Sequence, residues 1–62
     1  MNSRDIIAVL EANGWMYHST TGSHRHYKHP NKLGKVTVPS PRRDIPIGTI
    51  KSIEKQSGVK LR

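Results

Sequence analysis

The stretch Thr21-Gly22-Ser23-His24-Arg25-His26-Tyr27-Lys28-His29-Pro30 holds three of the four histidines in the chain, with two cationic side chains among them. A histidine titrates near pH 6.5, so it exchanges protons close to neutrality. Cutting an RNA phosphodiester without a metal asks for that property. The 2′-hydroxyl must lose a proton as it attacks phosphorus, and the leaving 5′-oxygen must gain one. Charge building on the phosphoryl oxygens must also be stabilised, which Arg and Lys side chains do well. His24 is the candidate proton-transfer group, as general base, general acid or both in turn. Gly22 has no Cβ, so a backbone phosphate can come close beside His24. Gly22, Ser23, Arg25, Lys28, Lys35, Arg42 and Arg43 are the candidates for binding an RNA backbone, and His26 is a candidate auxiliary in proton transfer.

Blander roles compete with each of these. A lone surface histidine is usually just a solvated polar side chain. His24 and His26, two apart on one strand, could ligate zinc with His18 as a third ligand. No carboxylate lies near in sequence to complete or orient such a site, so neither metal nor cofactor is expected. Trp15, Tyr17 and Tyr27 could stack bases. Core packing is the stronger expectation for them, because the chain has no phenylalanine and few other large apolar groups.

The order of elements must bring these side chains to one surface. Residues 3–12 read as an amphipathic helix with Ile6, Ile7, Val9 and Leu10 on its apolar stripe. Asn2 or Ser3 caps it, Asp5 suits its positive end, and Asn13-Gly14 stops it. Trp15–Ser19 reads as a strand, Thr20-Thr21-Gly22 as a turn, and Ser23–His29 as a second strand. Pro30–Gly34 reads as a loop and Lys35–Val38 as a third strand. Ser40–Asp44 is an irregular basic connection. Residues 46–56 form a second helix in which Ile47, Ile50 and Ile53 share a face, and Val59 and Leu61 fold back onto the core. The expected fold is therefore α+β, in the order α-β-β-β-α: a three-stranded antiparallel sheet with both helices on one face and the other face open. Alternation along the strands places Trp15, Tyr17, Tyr27, Val36 and Val38 inward. His24, His26 and Lys28 then face outward, while Arg25 falls on the inner side, which its charge suits only near a sheet edge.

With 62 residues the chain is long enough for one small domain, 1–62, and a thin core. The formal net charge is +7, and no acidic residue stands between Glu11 and Asp44. Nearly all the excess charge falls in that interval, as a nucleic-acid binder requires. Without cysteine, disulfides and thiolate metal sites are excluded. No apolar run is long enough to span a membrane and no signal-peptide pattern opens the chain, so a soluble, cytoplasmic protein is expected.

Several blocks, in order, resemble the HicA family of bacterial toxin–antitoxin toxins. They are Gly22-Ser23-His24 with Tyr27, then His29-Pro30, Val36-Thr37-Val38-Pro39, the run Ile45–Ile53, and Gln56-Ser57-Gly58. The opening helix ending in Gly14-Trp15 extends the likeness over nearly the whole chain. Thr20 and Thr21 depart from it, standing where many relatives carry basic residues. The resemblance implies a fold like the double-stranded-RNA-binding domain. It also implies a metal-independent ribonuclease that cleaves messenger RNA and arrests translation, with the histidine of the Gly-Ser-His block, His24, essential. A HicB-like antitoxin masking that histidine is implied as the partner. The alternatives from the residues alone are a non-catalytic double-stranded-RNA-binding module and a domain that docks on an acidic protein.

Overall fold

The computed structural model describes residues 1–62. Helix α1 spans Ser3–Ala12, strands β1, β2 and β3 span Met16–Thr21, His24–His29 and Lys32–Pro39, and helix α2 spans Ile47–Ser57. Asn2 is the cap of α1: its side-chain Oδ1 accepts from the Asp5 N–H at 2.8 Å. Ser3 has a different task. Its Oγ accepts from the Arg42 N–H and its own N–H donates to the Arg42 carbonyl, both at 2.9 Å. That pair ties the Ser40–Asp44 connection to the start of α1. The Ile45 N–H to Met1 carbonyl bond extends the tie by one more turn of chain.

The sheet is antiparallel in the order β1-β2-β3. Ile6 and Leu10 of α1 and Ile50 and Ile53 of α2 meet Trp15, Tyr27, Val36 and Val38 in one core, closed by Ile45, Val59 and Leu61. Both helices therefore cover the same face, as the alternation predicts. Full burial of an aliphatic side chain is worth ~1.5–3 kcal/mol, so these few side chains carry most of the stability of a thin core. At the end of α2, Gly58 takes a left-handed conformation at φ 72°. The buried Ser57 hydroxyl donates to the Ile53 carbonyl and accepts from the Val59 N–H, which turns the tail back onto the core. No helix is long and apolar enough to cross a membrane.

Four details differ from the sequence-based expectation. Tyr17 lies opposite Tyr27 on the helix-side face but is 55% exposed, because the helices pack over β2 and β3 and leave the β1 edge bare. Its ring meets Tyr27 edge-on at 5.9 Å. Ile47 is 57% exposed at the first turn of α2, so the buried stripe of that helix is Ile50, Ile53 and Ser57. The first turn is tighter than expected: β1 runs through Thr21, and only Gly22 and Ser23 connect it to β2. Lys32–Gly34 belongs to β3, with the register shift between Lys28 and His29 taking up the extra residues.

Candidate functional site

The register decides which side chains share the open face. His24 pairs with Thr21 on β1 and Pro39 on β3; His26 pairs with Ser19 and Thr37; Lys28 pairs with Met16 and Lys35. Cross-strand partners lie on the same side of a sheet. The face away from the helices therefore carries His24, His26, Lys28, Lys35 and the hydroxyls of Thr21 and Thr37. A bulge between Tyr17 and Ser19 brings His18 near this group. None of the four acidic residues lies on it.

His24 is solvent-exposed, one residue beyond the Gly22-Ser23 turn. Gly22 has φ 58°, which suits glycine, and a Cβ built there meets nothing within 4 Å. The turn thus leaves open space at the backbone next to His24. The Ser40 N–H donates to the Ser23 carbonyl at 2.7 Å, which brings the basic connection alongside the same end of the sheet.

The other histidines have different surroundings. His26 is half-buried between the outer strands, with Nδ1 at 2.9 Å from Thr37 Oγ1 and Nε2 at 3.2 Å from Thr21 Oγ1. Loss of solvent lowers its pKa from the usual 6.5, and Lys35, His24 and His18 lower it further by repelling a positive ring. His29 points to the helix side and is a structural pin. Its Nε2 donates to the Asn13 carbonyl at 3.1 Å, its Nδ1 accepts from the Asn31 N–H at 3.0 Å, and its ring meets Trp15 edge-on at 5.2 Å. It fastens the end of α1 to the β2–β3 turn. No group of three His or acidic side chains converges to hold a metal ion.

The cations expected to bind a backbone divide between two surfaces. Lys28 and Lys35 stand opposite each other on the open face beside the histidines. Arg25 lies on the helix side, against Tyr27 and α1. Burial raises the Tyr27 phenol above its usual pKa, and the guanidinium beside it opposes the rise. Arg42 and Arg43 join Arg4 around a shallow hollow at the start of α1. Lys32 is engaged elsewhere: its ammonium donates to the Ser57 carbonyl at 3.1 Å and sits 6.0 Å from the centre of the Trp15 ring. The one ion pair in the chain joins the N-terminal ammonium to Asp44 at 3.8 Å, so no lysine or arginine is neutralised by an acidic side chain. Sequence reasoning missed Thr21 and Thr37, because only the cross-strand register shows that they flank a histidine.

A family model described as the HicA toxin of bacterial toxin–antitoxin systems matches residues 3–59. Among solved structures, a chain of a HicA3 and HicB3 toxin-antitoxin complex is 33% identical. The superposition covers 100% of each chain with a TM-score of 0.84. No curated protein sequence matches this chain.

Proposed function

The chain belongs to the HicA toxin family of bacterial toxin–antitoxin systems, and on that premise we propose that it is an endoribonuclease that cleaves messenger RNA without a metal, with His24 transferring protons at the scissile phosphate. The observation that carries this reading is an exposed imidazole on an open, acid-free sheet face whose lysines have no anionic partner within the chain. An RNA strand laid along that face meets Lys28 and Lys35. Its phosphate reaches His24 over Gly22 and Ser23, and Arg42 and Arg43 at the same end take the adjoining backbone. Arg25 reaches RNA only where a strand wraps over the sheet end toward α1. Messenger RNA as substrate places the activity in the cytoplasm.

The same face suits a HicB-like antitoxin. A protein partner with an acidic contact surface neutralises the lysines and covers His24, so inhibition and substrate binding compete for one site. The structural relative named for a HicA3 and HicB3 complex supports this partner class.

The test is the His24→Ala variant, assayed for RNA cleavage, RNA affinity and growth arrest. Removal of a proton-transfer group costs ~10²–10⁴-fold in rate. Cleavage and toxicity should fall by that order, with the circular dichroism spectrum and antitoxin binding retained. A variant that cleaves and kills like the wild type would remove His24 from the chemistry, and a wild type that binds RNA without cutting it would instead favour a non-catalytic double-stranded-RNA-binding module.

A further inference from the structure

Transesterification of RNA moves two protons at once, one off the 2′-hydroxyl and one onto the 5′-oxygen. His24 accounts for one of them. Across the open face, the side chains of Thr21, His26 and Thr37 form a continuous hydrogen-bonded row from β1 through β2 to β3. Its β1 end, Thr21, is the direct cross-strand partner of His24. The row therefore ends beside the exposed imidazole.

A neutral imidazole has one donor nitrogen and one acceptor nitrogen, and a hydroxyl both donates and accepts. With the proton on Nδ1, His26 donates to Thr37 Oγ1 and its Nε2 accepts from the Thr21 hydroxyl. Thr21 Oγ1 then offers its lone pairs outward, beside the position of a bound ribose. Granted the RNA-cleaving reading on which it rests, we infer that Thr21 and His26 form the second proton path, with Thr21 touching the substrate and His26 as the positioning residue behind it. The 2′-hydroxyl proton passes to Thr21 Oγ1 as the Thr21 proton passes to Nε2 of His26. The O2′–P bond forms and the P–O5′ bond breaks. O5′ takes its proton from the His24 imidazolium. The enzyme ends the step with His24 neutral and His26 charged, so no proton is gained or lost overall. The charged His26 ring donates to both threonine oxygens and stays fully hydrogen-bonded.

The groups facing His26 suit this division of work. Partial burial, Lys35 on β3, His24 on its own strand and His18 on β1 all disfavour a charged ring. Lys28, two residues along the same strand, adds a further cation on this face. His26 is then neutral and ready to accept a proton at pH 7. Its protonation at lower pH shuts the path, so the acid limb of the rate profile lies below the ordinary histidine value.

The test is single-turnover cleavage of a short single-stranded RNA in chelator, from about pH 5 to pH 9, by wild type, His26→Gln, Thr21→Val and His24→Ala. Glutamine keeps hydrogen bonds to both threonines but takes up no proton. Thr21 is exposed on the edge strand, so its replacement leaves the core intact, and circular dichroism checks each fold. His26→Gln and Thr21→Val should each lose about 10²-fold at pH 7 and flatten the acid limb. An unchanged rate in either variant overturns the relay. So does a lower rate with the acid limb intact, which marks a structural role only. If wild type cleaves and His24→Ala does not while His26→Gln is normal, the relay alone fails. If wild type cleaves no RNA, the nuclease reading fails with it.

Discussion

The four histidines look alike in the sequence and differ in the fold. His24 is open to solvent and His26 is held between two threonines. His29 pins α1 to a turn, and His18 sits at a bulge. The exposure of His24 is legible from the Gly-Ser turn and strand alternation. The partners of His26 lie 5 and 11 residues away and those of His29 up to 16, so only the register reveals them. The glycines show the same dependence on context. Gly14 and Gly22 both have positive φ, but a Cβ on Gly14 would stand 2.8 Å from Nε2 of the pinned His29, whereas one on Gly22 stands in open space. Gly22→Ala should cost ~1–2 kcal/mol, the strain of left-handed backbone at a residue with a Cβ. Gly14→Ala should cost about 1 kcal/mol more, because the His29 bond to Asn13 must yield. Urea unfolding of the two variants checks this, and equal losses would mean that His29 is not a pin.

At the scale of elements, both helices were legible because their apolar periodicity is strong, Asn2 caps the start of α1 and Gly58 ends α2, and all three strands were placed in order. The boundaries of β1 and β3 were not, since a two-residue turn and a bulge absorb residues that read as loop. The burial expected of Tyr17 failed for a related reason: pairing with Tyr27 fixes its side of the sheet, but the reach of the helices fixes its exposure. One strand-level feature bears on function. Lys28 and Lys35 are direct partners on the open face, where like charges repel, and no acidic side chain lies between them. A phosphate chain bridging them removes that repulsion. Each lysine that contacts single-stranded RNA contributes ~0.7 to the slope of log affinity against log salt. Lys28→Gln and Lys35→Gln should each lower the slope by about that amount. Lys32→Gln should leave it unchanged, since Lys32 is bound to the end of α2. Identical slopes for all three variants would detach RNA from this face.

Taken whole, the molecule is a slab of 29 × 25 × 17 Å, too thin to enclose a substrate. The RNA cleavage proposed for it therefore belongs on a surface. The helices occupy one broad side, and the sheet leaves the other free. The charge imbalance of the sequence points to a polyanion partner; alternation along β2 already set Arg25 apart from Lys28, whereas the place of Arg42 and Arg43 beside the start of α1 was not legible, because packing of an irregular connection decides it. The claim on which the account turns is that this surface directs a 2′-hydroxyl against its own phosphate through an exposed imidazole. The most direct measurement is the chemistry of the product ends after digestion of RNA in chelator. The account predicts 5′-hydroxyl ends with 2′,3′-cyclic phosphate or its 3′-phosphate hydrolysis product, and no cut where a 2′-deoxynucleotide replaces the nucleotide bearing the attacking hydroxyl. Products with 5′-phosphate and 3′-hydroxyl ends, or a cut at the deoxy position, would contradict it.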